Sequence, residues 1–192
     1  KRSESFWLDM YKGSVPKIEL PLDYPRPKLR TYDSHRLDFL IDNQLLNHLK
    51  QTGLDTGTSF VTSLLAAFEV FLYQQTGQND LVLGLASSRH AHYDMMQMIG
   101  HTVNLLPLRS EVNTRISFND YLKLRKTQLF EVYDHQSLSF GHLLEKLAIP
   151  RDASRIPLVP VIMNVQLDSE AENEFAFAGL SNALTNNPRD YA

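Results

Sequence analysis

The 192-residue sequence contains no cysteine, which removes disulfides, thiolate nucleophiles and cysteine-ligated zinc. This fits a reducing compartment and makes the cytoplasm the expected location. Neither charge is in surplus: 19 Lys and Arg stand against 22 Asp and Glu, a net charge of -3. No stretch gathers the cations that nucleic acid or an anionic membrane surface would require, so neither is an expected partner. Long apolar runs are also missing. The strongest, Phe60 to Tyr73, is broken by Thr62, Ser63 and Glu69 and falls short of the ~20 residues of a spanning helix. KRSESFW at the start is followed by no apolar signal segment. The first residue is not Met and NNPRDYA supplies no closing element, so a fragment of a longer protein is the expectation.

Familiar catalytic signatures are lacking as well. There is no G-x-S-x-G elbow, no G-x-x-x-x-G-K-[ST] phosphate loop and no G-x-G-x-x-G after a strand, which leaves hydrolase and nucleotide-binding readings without their usual support. HAHYD spaces His90, His92 and Asp94 two apart, a pattern that could share a metal on an extended segment. It sits in a polar stretch, and no metal site is expected. His35, His48, His135 and His142 stand singly, where structural roles outnumber catalytic ones.

What is present is the composition of one folded domain or lobe, 43% hydrophobic and 21% charged. SESFWLDMYKG reads as a helix ending at Gly13, with Phe6, Trp7, Met10 and Tyr11 on one face. The next stretch carries Pro16, Pro21, Pro25 and Pro27 and suits an extended crossing segment, pinned by Ile18, Leu20 and Leu22. SHRLDFLID alternates as a half-buried strand, with Leu37, Phe39 and Ile41 on one side. NQLLNHLKQTG gives a short helix with Leu45, Leu46 and Leu49 inward and Gly53 as its stop.

Thr58 or Ser59 caps a central helix whose Phe60, Val61, Leu64, Leu65, Phe68, Phe71 and Leu72 cover most of its circumference. DLVLGLAS reads as a strand covered on both faces, and TVNLLPLR as another. Ser117 to Asp120 forms a capping box for a long helix with Phe118, Tyr121, Leu122, Leu129, Val132 and Tyr133 inward. FGHLLEKLAI is a further helix stopping at Pro150, and LVPVIMNVQL and EFAFAG are two more strands. Alternating helices and strands predict an α/β layered sandwich.

Two stretches stand out. IGHTVNLLPLRS places Gly, His, Asn and Pro inside an apolar strand that needs none of them to fill a core. RDASRIPLVPVIMN puts Asp152 and Ser154 between Arg151 and Arg155, directly before a strand. This is the pattern of a turn-locking network, with Arg151 or Arg155 pairing with Asp152 and Ser154 satisfying a backbone group.

These stretches, with HQSLSFGHLLEKL between them and FWLDMYKGSVPKIELPLDYPRP ahead, together resemble the condensation domains of nonribosomal peptide synthetases. IGHTVNLLPLRS is similar to the family's (I/V)GxFVNT…R motif, HQSLSF to HQD(Y/V)PFE, and RDASRIPLVPV to RDxSRNPLFQV. Thr102 stands in place of Phe, Leu105 in place of Thr, and Ser137 in place of the acidic residue. The form IGHxVNLLP resembles condensation domains of hybrid polyketide and peptide assembly lines.

The resemblance implies a chloramphenicol-acetyltransferase-like fold, two such lobes enclosing a tunnel entered by substrates carried on the phosphopantetheine of donor and acceptor carrier proteins. The family's HHxxxDG catalytic motif is absent from this sequence. The expectation is therefore a C-terminal lobe over residues 31–192, preceded by an interlobe crossover over 1–30, with no catalytic residue of its own and no bound cofactor. Its implied partners are the carrier proteins, an N-terminal lobe and neighbouring synthetase domains. Gly100, His101 and Asn104 would line the tunnel, and His135, Gln136, Arg151, Asp152, Ser154 and Arg155 would be structural motif residues. A noncatalytic carrier-docking lobe of the same fold, or an acyltransferase using a free acceptor, are the rival readings.

Overall fold

A computed structural model describes residues 2–88, 100–150 and 152–165. In chain order the elements are α1 (Arg2–Met10), α2 (Asn43–Thr56), α3 (Phe60–Thr76), β1 (Asp80–Ser88), β2 (Val103–Glu111), α4 (Phe118–Asp134), α5 (Phe140–Leu147) and β3 (Ile162–Met163). Short polar side chains start four of the helices. Asp42, Ser59, Ser117 and Ser139 accept the backbone N–H of Leu45, Thr62, Asp120 and His142, respectively, satisfying donors that the first turn leaves free. α2 ends at Gly57, where φ is 64°, and not at Gly53 as expected. A methyl group at Gly53 would meet Ser63 Oγ at 3.0 Å and Thr58 O at 3.1 Å, so this glycine lets the start of α3 pack against α2.

β1 lies at the centre of the sheet, in the order β2-β1-β3. It pairs antiparallel with β2 from Asp80↔Glu111 to Ser88↔Val103 and parallel with β3 at Gly84↔Ile162. The Gly84 N–H donates to Val161 O, so Gly84 and Pro107 face each other as a non-hydrogen-bonded pair. The ring nitrogen of Pro107 therefore points away from β1, to an edge of β2 where no described strand pairs and it forfeits no ladder bond among the described residues. Side chains cover that edge: Tyr11 Oη donates to Pro107 O at 2.8 Å and Arg125 Nη1 to Arg109 O at 3.5 Å. At the other end of the sheet, Leu158 adopts a φ of 66° and the Val159 N–H donates to Pro157 O, a tight γ-turn that swings the chain into β3.

Leu81, Leu83, Leu106, Leu108, Leu65, Leu122 and Leu143 form the core, and Trp7, Tyr11 and Ile18 seal it. Within it lies a charged pair that the apolar pattern gave no reason to expect. Glu69 and Arg125 are fully buried, joined Nη2 to Oε1 at 2.8 Å, and Tyr121 Oη donates to Glu69 Oε2 at 2.8 Å. Burial pushes the Glu69 carboxyl above its ordinary range, opposed by the Arg125 guanidinium and the Tyr121 hydroxyl.

Several expected burials are not found. Residues 34–42 form no strand; Leu37 and Phe39 are 78% and 83% exposed. The alternating pattern is there, but no described strand lies alongside to take the backbone hydrogen bonds. Leu22, Leu45, Phe71 and Phe118 are also exposed, since one face of each helix suffices for the layer it packs against and the crossing segment is held further upstream. Of LVPVIMNVQL, only Ile162–Met163 pairs among the described residues, because the preceding turn diverts the chain. EFAFAG lies outside the described residues.

The crossing segment is held at Ile18, which is buried, and by hydrogen bonds on either side of it. Gln78 accepts the Glu19 N–H at 2.7 Å and donates to Lys17 O at 2.8 Å, imitating a strand neighbour. Arg155 grips both Glu19 carboxylate oxygens at 2.9 Å, and this bidentate bond holds the Glu19 carboxyl below its usual value.

Two outcomes are expected. Arg125→Met, which strands the buried Glu69, should destabilise the protein by about 3–5 kcal/mol, and adding Glu69→Met should recover most of the loss. Denaturant unfolding measures both, and a double variant no more stable than Arg125→Met would show that the loss does not come from the stranded Glu69. For Glu19, a folded-state pKa below the unfolded one means the clamp contributes above the usual carboxylate range and is lost as pH falls through the folded value. An NMR titration should place the Glu19 midpoint below 4.5; a midpoint at or above that value would mean that Arg155 does not hold it.

Candidate functional site

β2 begins with alternating burial. Thr102 and Asn104 turn inward, while His101 and Val103 are exposed. The Asn104 side chain is 8% exposed for the residue as a whole, and its amide is fully engaged by the loop between α4 and α5. Nδ2 donates to Gln136 O at 3.0 Å and to Leu138 O at 2.8 Å, and Oδ1 accepts the Phe140 N–H at 3.2 Å. An asparagine can supply both donors and acceptor from one planar group, and here all are directed at backbone groups that have no strand to pair with. Gln136 is also buried, and its Oε1 accepts from Ser87 Oγ at 3.0 Å. The first and second motifs are thus one hydrogen-bonded unit joining β1, β2 and the α4–α5 loop.

α1 closes this unit from outside. Trp7 Nε1 donates to His135 O at 2.9 Å, and Phe6 stacks on the His135 ring with centroids 4.2 Å apart. Ser3 Oγ lies 3.3 Å from His135 Nδ1 and accepts from Ser137 Oγ at 3.0 Å. Ser137, at the position where the resembling motif has an acid, therefore contacts a neutral hydroxyl.

The third motif lies apart, at the crossing segment. Asp152 Oδ1 accepts from the Ser154 N–H at 2.9 Å and from Ser154 Oγ at 2.6 Å; these bonds hold its carboxyl below the ordinary value. The Ser154 hydroxyl thus bonds a side chain where a backbone partner was expected. Arg155 Nε is 3.5 Å from Asp152 Oδ2, but its bidentate partner is Glu19, distant in sequence. Arg151 lies outside the described residues, as do His90, His92 and Asp94. Gly100 is exposed, and no described atom lies within 4 Å of a methyl group placed there, so no close approach among the described residues demands it.

The sequence reading missed Ser87, Trp7 and Phe6 as partners of the second motif, and Glu19 as partner of the third. Trp7 and Phe6 had a signal in their shared helical face; Ser87 and Glu19 had none. Among the described residues, no cluster of three or more His, Asp or Glu is placed to hold a metal. No single described helix is long and apolar enough to cross a membrane.

The condensation-domain family model matches residues 1–190. Gramicidin S synthase 2 of Brevibacillus brevis is 36% identical over 166 residues, which is 86% of this chain and 4% of that protein. Bacitracin synthase 3 of Bacillus licheniformis is 33% identical over 174 residues, 91% of this chain and 3% of the relative. The chain thus spans only a few per cent of the length of these relatives. Among solved structures, a four-domain nonribosomal peptide synthetase in its holo form matches with a TM-score of 0.85 at 22% identity, over 90% of this chain and 13% of that one. The condensation domain of the Monacolin K polyketide synthase matches with a TM-score of 0.73 at 22% identity, over 84% of this chain and 40% of the other. The fold is theirs, the chloramphenicol-acetyltransferase-like α/β sandwich, and the chain belongs to the condensation-domain family of nonribosomal peptide synthetases.

Proposed function

We propose that this chain is the C-terminal lobe of a condensation domain that joins two carrier-bound substrates through an amide bond. The supporting observation is the family match over residues 1–190 in a sequence that carries the family's later motifs in order and lacks HHxxxDG. In the proposed reaction the amine of an acceptor aminoacyl thioester attacks the carbonyl carbon of a donor acyl thioester. The C–N bond forms, the amine proton passes to a base, and the C–S bond breaks to release the donor carrier's thiol. The base belongs to the preceding lobe, which must bring it to about 2.6–3.2 Å from the amine. Phosphopantetheine arms on the donor and acceptor carriers deliver the substrates, and this lobe holds no cofactor.

The lobe's contribution is a wall held in fixed geometry. Asn104 spends its amide on the α4–α5 loop, so it acts as a positioning residue for the start of β2, and the exposed His101 and Val103 are the residues left to face substrate.

In the full-length parent protein, with donor and acceptor loaded on separate carriers, Asn104→Ala should cut amide formation and lower stability by about 1–3 kcal/mol by stranding buried backbone groups. Gln136→Ala should reproduce the loss of turnover, since it loosens the same loop. Loss with Asn104→Ala but not with Gln136→Ala would mean that Asn104 meets substrate directly. A wild-type parent that forms no amide would overturn the reading and favour a noncatalytic docking lobe.

A further inference from the structure

The turn of the third motif holds more than the start of the crossing segment. Arg155 grips the Glu19 carboxylate, and the carbonyl of Ala153 accepts the Arg30 N–H at 2.9 Å. Both ends of the stretch from Glu19 to Arg30 are therefore tied to one turn, residues 152–155, which makes residues 20–29 a loop closed at its neck. The loop is stiff as well as anchored. Pro21, Pro25 and Pro27 fix their own φ near about −65° and bias Leu20, Tyr24 and Arg26, the residues before them, toward extended backbone.

Beyond Leu20, every residue of the loop is exposed, Tyr24 at 83%, Leu29 at 71% and Leu22 at 53%. Arg26 and Lys28 stand between these apolar groups, and neither has a carboxylate at ion-pair distance among the described residues. Arg26 acts on the Glu19 carboxyl only from further off, since Arg155 holds both its oxygens. Asp23 is the loop's one acid. In a chain of net charge -3, this loop is positive.

An aromatic ring and two leucines with unpaired cations among them complement a surface that is apolar at its centre and acidic around it. Two cations are too few for nucleic acid, where affinity comes from neutralising many phosphates. So small a patch binds a free partner weakly. A partner in the same polypeptide meets it at high effective concentration, and the relatives above are polypeptides of which this chain matches only 4% and 3%.

Resting on the condensation reading above, we infer that residues 20–29 are a docking loop, held in shape by the third motif, that binds an acidic surface with an apolar centre on another domain of the parent synthetase. Its prolines lower the cost of docking, because little backbone freedom is left to lose.

The test puts the photo-crosslinking residue p-benzoylphenylalanine in place of Tyr24 in the full-length parent protein and maps the crosslinked peptides by mass spectrometry. The expected product is an intramolecular crosslink to one stretch rich in Asp and Glu outside residues 1–192. Arg26→Glu combined with Lys28→Glu, both at exposed positions, should cut its yield at least about fivefold at an unchanged melting temperature. Raising NaCl from about 50 mM to about 500 mM should also cut it. Glu19→Gln, which opens the neck, should scatter the crosslinks over several peptides. Crosslinks confined to residues 1–192, or a yield indifferent to both charge reversal and salt, would overturn the assignment. So would binding of the parent to phosphatidylserine vesicles that the two charge reversals abolish, which would make the loop's partner a membrane. Amide formation by a parent that lacks the crosslink refutes this inference alone; a parent that forms no amide refutes the condensation reading beneath it, whatever it crosslinks to.

Discussion

A buried backbone polar group must find a partner, and where the sheet supplies none, this chain supplies side chains. Among the described residues, the edge of β2 away from β1 and the loop between α4 and α5 are both left without a ladder, and the side chains that answer them come from elsewhere in the sequence. Asn104 completes the loop, Tyr11 and Arg125 take carbonyls of the edge, and Trp7 takes the carbonyl of His135. Most of the residues that look out of place in their elements are explained by this demand. An asparagine in a strand, an arginine on the inner face of a helix and a tryptophan near a terminus all do the same work on different groups.

The arginine shows how far the constraint reaches. To meet Arg109 O it must be buried, and a buried guanidinium needs a counter-charge. Glu69 on α3 provides it, and Tyr121 satisfies the second carboxylate oxygen. Helix-to-helix packing in the core is therefore tied to closure of the sheet edge, through a network that an apolar pattern does not reveal.

Much of the fold was legible because its signals are local. Serine caps at Ser59 and Ser117 and the continuous apolar run of β1 are written in adjacent residues, and the structure repeats them. The failures share a physical cause. Leu37, Phe39 and Ile41 alternate as a strand should, yet a strand is a property of two segments, and periodicity in one is silent about the other. Phe71 and Phe118 are apolar yet exposed, because a core needs apolar side chains but an apolar side chain does not need the core. Within the candidate site, Asn104 and Gln136 were visible as motif residues. That they bind one another's surroundings was not, since 32 positions separate them, and neither Ser87 nor Glu19 carries any mark of its partner.

Pro107 has a consequence beyond the fold of this segment. In relatives many times its length, the segment is surrounded by other stretches of the same polypeptide at high effective concentration. An unguarded strand edge would be a standing invitation to any extended stretch nearby. With a ring where an amide hydrogen would be and a tyrosine hydroxyl on its own carbonyl, Pro107 offers such a stretch no donor and an acceptor already engaged. Among the described residues, an incoming strand on this side of β2 would have to pair across a gap at Pro107, so the sequence discourages a wrong partner at that one position.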